Sequence, residues 1–303
     1  GIDLPLDATK RQAYEERFLF LLFLLRQPRA TLVYVTGQPI QPSVIDYYLG
    51  LLPGVVASHA RRRLHLVSPY DGGPAPLSAK LLERPRLLDE IRSLAGDPNR
   101  AHLVPYNTTW LERDLALRLG MPMYGADPRF TELGTKSGAR ALFAEAGVPH
   151  PQGREGLRSV DDVVDAVCEL VAERPGIESV VVKHDEGVSG LGNAMLDVRG
   201  LEGASRAQVD DRLRDLRPED PGATAEEFLE RLADGGIVEE LIVGAEIRSP
   251  SVQMRATPLG KVEQLSTHDQ LLGGASGQIF LGSVFPASDA YARQIADEAH
   301  KVG

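Results

Sequence analysis

Residues 180–195 read VVVKHDEGVSGLGNAM, and no other stretch limits the fold as tightly. Three consecutive valines predict a strand, since β-branched side chains suit a pleated, buried surface. The run closes on Lys183, whose charged head must either snorkel to water or be aimed at an anion. Gly187, Gly190 and Gly192 then follow, and residues 194–198 are apolar enough to form a returning strand. Glycines without Cβ atoms let backbone N–H groups approach and cradle an anion. Two familiar phosphate loops are excluded. A P-loop places Lys after G-x-x-x-x-G, whereas Asn193 follows Gly187 and Gly192. A dinucleotide fingerprint reads G-x-G-x-x-G and opens a helix, whereas this order is G-x-x-G-x-G and leads into Ala-Met-Leu-Asp-Val. What remains is a hairpin with a lysine at the end of its first strand.

The rest of the chain narrows the setting. It has 303 residues with 43% hydrophobic and 25% charged, the composition of a globular protein of more than one domain. A net charge of −10 argues against nucleic acid or an anionic membrane as a partner. The one basic cluster, Arg61 to Arg63, is expected at the solvated start of a strand. Cys168 is the only cysteine, which leaves no intrachain disulfide and no cysteine-based metal site and points to the cytoplasm. It lies at helical spacing with Val164 and Val167, so helix packing is expected of it. Residues 18–25 (FLFLLFLL) fall far short of the roughly 20 apolar residues of a spanning helix. A helix buried on most sides is expected there, with a homodimer interface as the alternative.

Over residues 1–125, strand-length apolar runs (31–36, 64–67 and 102–105) alternate with helical patterns, which favours a parallel sheet with crossovers. Pro85 is expected to divide the helical stretch 78–94, and Thr108 or Thr109 to cap a helix ending at residue 119. From about residue 126 the pattern changes. Helices are expected at 136–146, 160–174, 224–232 and 289–301, and strands at 179–183, 194–198, 237–243, 246–255 and 262–265. Residues 206–220 read as charged, turn-rich and exposed.

Some fifty residues beyond Lys183 stands E-E-L-I-V-G-A-E, residues 239–246. Lys136 before a helix, V-V-V-K with its Gly-rich loop, and this hinge occur in an order that resembles the ATP-grasp superfamily of carboxylate–amine ligases. The resemblance implies an α/β chain with an ATP-grasp fold. A Rossmann-like pre-ATP-grasp domain would cover residues 1–125, a lid subdomain 126–240, and the start of a C-terminal subdomain 241–303. It further implies that Lys136 and Lys183 reach the ATP phosphates and that Gly187, Ser189, Gly190 and Gly192 close over them. Glu239, Glu240 and Leu241 would form the adenine hinge, and Glu246 would hold the ribose.

Residues 248–286, with Y-V-T-G-Q-P and P-Y-N-T-T nearer the N-terminus, are similar to a narrower branch, the pheganomycin-type peptide ligases. Gln253 and Arg255 share one strand face by the two-residue period, and Gln253 is counted with the nucleotide ligands. Arg248, Arg255 and His268 become catalytic candidates, with Asp269 and Gln278 as further polar groups among glycines. The implied reaction joins a small-molecule carboxylate, an amino acid or peptide, to an amine through an acylphosphate, with Mg2+ and ATP as cofactors. In that family the metal ligands, ending in E-x-N, come later than Gly303, so no metal ligand is assigned and the ATP-grasp part is expected to be incomplete. Asp185 and Glu186 are poor substitutes, because a mobile loop holds octahedral Mg2+ badly. An ATP-grasp kinase and a non-catalytic nucleotide-binding or regulatory module are the alternatives.

Overall fold

The computed structural model describes residues 8–187, 190–274 and 277–303. The chain divides into two compact units, Gly1–Thr131 and Glu132–Gly303.

In the first unit α1 (Ala8–Arg17) runs into a 3-10 helix over residues 18–26. Leu19, Leu22 and Leu25 are buried there at the three-residue period of that helix, while Phe20, Phe23 and Leu24 are about half exposed. The run expected to be buried on most sides therefore has one inward and one outward face. Strands β1 (Leu32–Val35) and β2 (Leu64–Val67) pair in parallel, joined across α2 (Pro42–Gly50) and α3 (Ala57–Arg61). Of the three arginines, Arg61 and Arg62 are exposed, as expected. Arg63 instead donates to the carbonyls of Leu25, Gln27 and Ala30 at 2.7–2.8 Å, pinning the end of the 3-10 helix. Pro85 sits in the first turn of α5 (Pro85–Ala95) and so separates it from α4 (Leu77–Leu82). Thr109 caps α6 (Trp110–Leu119) with a capping box closed by Glu112. The third strand expected at 102–105 is reduced to one parallel bridge, Leu103 with Met123. Pro105 and Pro122 lack the N–H groups a longer ladder needs.

The second unit begins with α7 (Lys136–Ala146), capped by Thr135 and ended by Gly147 in the left-handed region. β3 (Gly153–Leu157), α8 (Val160–Glu173), β4 (Ser179–His184), β5 (Asn193–Asp197), α9 (Arg206–Arg212), β6 (Arg217–Pro218), α10 (Ala225–Glu230) and β7 (Gly236–Glu240) follow. The strands form an antiparallel sheet in the order β3-β7-β4-β5-β6. On one face Val180, Val182, Ala194, Leu196 and Val238 pack against Val163, Val164, Val167 and Leu170 of α8, with half-buried Cys168 beside them. Residues 206–220 are not the exposed segment expected. Val209, Leu213 and Leu216 are buried in this core, their i, i+4, i+7 spacing hidden among charges.

The two-residue period sends Val181, Lys183, Ile237 and Glu239 to the opposite face. β7 ends at Glu240, three residues short of the apolar run, and Ile242 and Val243 are exposed. The remaining strands, β8 (Pro250–Ala256), β9 (Val262–Gly273) and β10 (Ile279–Val284), make a second antiparallel sheet in the order β10-β9-β8. Relative to expectation β8 starts four residues later, and β9 runs on to Gly273. α11 (Ala292–Val302) packs against β8, β9 and α7.

Candidate functional site

Cross-strand pairing brings the charged residues of the first sheet together. Glu239 lies opposite Val181 on the neighbouring strand, so Lys183 is its diagonal neighbour on the same face. The Lys183 ammonium is ion-paired with Glu239 Oε1. The other carboxylate oxygen, Oε2, accepts from Arg140 Nη1 at 3.1 Å. Arg140, one turn into α7, also donates to Glu155 at 3.1 Å and to the Pro151 carbonyl at 2.9 Å. Its side chain is only 7% exposed, and that of Glu239 11%. Arg140 was not singled out in the sequence, where K-S-G-A-R reads as an ordinary helix start.

Lys136 is the first residue of α7, and its Nζ donates to the Gly187 carbonyl at 2.8 Å. Burial, then the nearby charge of Lys183, pushes its pKa below the usual lysine value, with Asp185 and Glu239 pulling the other way. Asp185 joins strand to helix: its Oδ1 accepts from the Ser137 N–H at 2.8 Å and its carbonyl from the Lys136 N–H at 3.3 Å. A carboxylate there complements the positive end of the helix dipole. The lysines expected at one anion thus flank one loop, each held by a different element.

That loop requires its glycines. A Cβ on Gly187 would lie 2.8 Å from Gly192 Cα, and one on Gly192 would lie 2.5 Å from Gly187 Cα. Gly190 has φ +88°, and a Cβ there would meet the Gln278 carbonyl oxygen, just before β10, at 2.5 Å. Ser189 lies outside the described residues.

At the hinge, the Glu240 carboxylate accepts from the Gln152 N–H at 2.9 Å and pairs with Arg174 at 2.8 Å. The Leu241 N–H donates to the Ser179 carbonyl at 3.2 Å, the last rung of the ladder. The first residue beyond that ladder is Ile242. Glu246 is exposed and holds Arg248 through its Nε at 2.8 Å. Asp269 accepts from the Tyr291 hydroxyl at 2.5 Å and from the Ser288 N–H at 2.9 Å, and its pKa is lowered accordingly. The charges of Asp269, Arg248 and Glu246 all act on Tyr291, which sets half-buried Asp269 and Tyr291 near exposed Arg248 and Glu246. Tyr291 carries no sequence signal beyond preceding a helix. Arg255 on β8 pairs with Glu263 of β9 at 2.9 Å, and the His268 ring lies 5.5 Å from that of Phe285. Among the described residues, Gln253 and His268 make no hydrogen bond or ion pair with the Lys136–Lys183 group.

Among the described residues no group of three or more His, Cys, Asp or Glu side chains converges on a metal position. The donor set for Mg2+ is not assembled among them. The first unit has a cleft of about 530 Å3 lined by Tyr14, Arg17, Phe18, Phe20, Tyr48 and Tyr106. With one cation and five aromatic rings, it lacks the converging lysines and glycine amides of the loop site.

A family described as "IQCH-like, ATP-grasp" matches residues 129–220, which contain α7, Lys183 and the glycine loop. The structure is similar to an N5-carboxyaminoimidazole ribonucleotide synthetase in complex with ADP. Identity is 13% and the TM-score 0.54, covering 95% of this chain and 60% of that one. The chain has the ATP-grasp fold. Among curated proteins it is 28% identical over 304 residues to an L-propargylglycine–L-glutamate ligase of Streptantibioticus cattleyicolor, with 95% of this chain and 59% of that protein aligned. It is 24% identical over 326 residues to IQ motif-containing protein H of Danio rerio, with 92% and 31% covered. The chain therefore spans less than two thirds of the length of either relative. No helix among the described residues is long and apolar enough to cross a membrane.

Proposed function

We propose that this ATP-grasp chain binds Mg-ATP over the glycine loop and serves an ATP-dependent carboxylate–amine ligase that releases ADP. The observation that carries the reading is the pair of lysines, on α7 and β4, flanking one loop whose glycines exclude side chains. Two ammonium groups beside a glycine loop suit a polyphosphate, whose transfer asks mainly for positioning and charge neutralisation. Lys136 and Lys183 take the α- and β-phosphates. Adenine lies against the strand end at Glu239, Glu240 and Leu241, with Ile242 offering the next amide, and Glu246 takes the ribose hydroxyls. Gln253 lies at the nucleotide, and Ser189 with the loop covers it.

A carboxylate oxygen then attacks the γ-phosphorus and the bond to the β-phosphate oxygen breaks, giving an acylphosphate and ADP. An amine attacks the acyl carbon, phosphate leaves, and the amine gives up its proton as the amide forms. Loop closure keeps water from the acylphosphate. Arg248 or Arg255 steadies the developing charge or the acceptor carboxylate, and His268 lines the same pocket. Amino-acid or peptide substrates are favoured by the similarity to a ligase named for propargylglycine and glutamate. We further propose a cytoplasmic protein that does not bind nucleic acid, with a homodimer through the outward face of residues 18–25. A lid boundary near residue 240 is supported by the change of sheet there.

The test is ADP release by the full-length protein against panels of acids and amines. Release that needs both, with an amide product, supports the ligase; a stable phosphoester without amide identifies a kinase. A nucleotide-binding module without turnover is the second reading, kept because one of the two curated relatives, IQ motif-containing protein H, carries no enzyme name. ATP binding with no turnover on any panel would establish it.

A further inference from the structure

Glu239 lies between two cations, and each takes one of its oxygens: Lys183 at Oε1 and Arg140 at Oε2. The cations differ in kind. Arg140 stays charged throughout the accessible pH range. It is buried and fixed by three acceptors on three segments: Pro151, Glu155 on β3 and Glu239 on β7. Lys183 has a flexible stem, and Glu239 is its one described ion-pair partner. Without nucleotide, the carboxylate competes with phosphate for the Lys183 ammonium. How strongly it competes depends on how much of its charge is already neutralised.

We propose that Arg140 is a positioning residue for nucleotide binding: by holding half of the Glu239 carboxylate, it keeps Lys183 releasable to phosphate. This rests on the reading of Lys183 as a phosphate ligand. The described ionised groups near Lys183 include Lys136, Arg140, Asp185, Glu155 and Glu239. Removing the Arg140 charge makes the site more negative and leaves Glu239 with Lys183 alone as its described counterion, and both changes oppose an incoming polyphosphate. A merely structural Arg140 would instead tie α7 to β3 and β7, and neutralising Glu239 would repair nothing.

That contrast decides the experiment. ATP affinity is measured by calorimetric titration of wild type, Arg140→Met, Arg140→Lys, Glu239→Gln and the double variant Arg140→Met/Glu239→Gln, with thermal melting of each. A neighbouring charge is worth about one pKa unit or more, so Arg140→Met is expected to bind ATP about tenfold more weakly. Arg140→Lys is expected to stay within about threefold of wild type because it keeps the charge, and the double variant within about threefold of Glu239→Gln, because Arg140 acts through that carboxylate. Should Arg140→Met not fold, Arg140→Gln carries the same expectation, since it keeps a donor for the Pro151 carbonyl. Wild-type affinity in Arg140→Met would overturn the proposal, as would a double variant weaker than Glu239→Gln by the same factor that separates Arg140→Met from wild type. Absence of ATP binding by wild type would overturn the site reading itself, and the Arg140 proposal with it.

Discussion

The two sheets of the second unit handle charge in opposite ways. Around the five-stranded sheet, Glu239 and Arg140 are buried and Lys183 half-buried, and each is fixed by a partner on another strand or helix. Around the three-stranded sheet, Glu246 pairs with Arg248 two residues away, and Arg255 with Glu263 across one strand pair, all in contact with water. Solvent screens such exposed pairs until they contribute little, whereas breaking a buried network strands a charge. On the proposed reading the first sheet carries a preformed anion site, and the second presents side chains that can change partner at little cost, as a pocket for varied acids and amines would require.

The largest expected effect tests the preformed half. Lys136→Met removes a charge-assisted phosphate contact worth about 1.5–3 kcal/mol. It is expected to weaken ATP binding by about tenfold to a hundredfold in titration calorimetry. The same variant abolishes a proton signal. An incoming phosphate raises the depressed Lys136 pKa again, so wild type takes up protons on binding ATP at alkaline pH. Titrations in buffers of different ionisation enthalpy detect this uptake. Equal ATP affinity in Lys136→Met and Arg248→Met would erase the contrast between the sheets.

Next in size is the loop. Gly190→Ala forces a side chain into φ +88° and against the Gln278 carbonyl, a strain of about 1–3 kcal/mol. Turnover is expected to fall about tenfold by steady-state ADP release, with ATP still bound and the melting temperature lowered by several degrees. Full turnover would show that the approach of the loop to β10 does no work.

A smaller effect concerns pH. His184 is buried on β4, stacked on Phe228, its Nε2 at 2.8 Å from the Phe228 carbonyl, and burial lowers its pKa below 6.5. The unfolded chain gains this proton near pH 6.5 and the folded chain only at lower pH. Its contribution to stability is thus fully present above pH 6.5 and declines as pH falls from there toward the folded value. Melting temperatures of wild type and His184→Gln are expected to converge on acidification; parallel curves would contradict the assignment. The smallest effect belongs to the second sheet: Arg248→Ala is expected to leave the melting temperature unchanged, since its pair with Glu246 is exposed.

The legible parts of the fold were those set by local chemistry. Thr109 and Ser159 cap helices because a hydroxyl before a helical run satisfies free N–H groups, and Gly147 ends α7 because it tolerates positive φ. The valine run and its glycines gave the hairpin. What escaped depended on partners distant in sequence. β3 (G-R-E-G-L) has no strand signature and is ordered by pairing with β7. Val209, Leu213 and Leu216 looked like parts of a charged loop until the sheet core gave them a surface to cover. At the site, Lys136, Lys183 and Glu239 could be named because the order of their motifs resembles the ATP-grasp superfamily. The contacts of Arg140, Asp185 and Tyr291 could not be read, because each is made with a partner on another element.

The central claim is that Lys136, Lys183 and the glycine loop form a nucleotide phosphate site, and a calorimetric titration of wild type and Lys183→Ala with ATP tests it most directly. The account predicts saturable binding by wild type and a loss of about tenfold or more in Lys183→Ala, with both proteins folded. Equal affinity in the two proteins would contradict it.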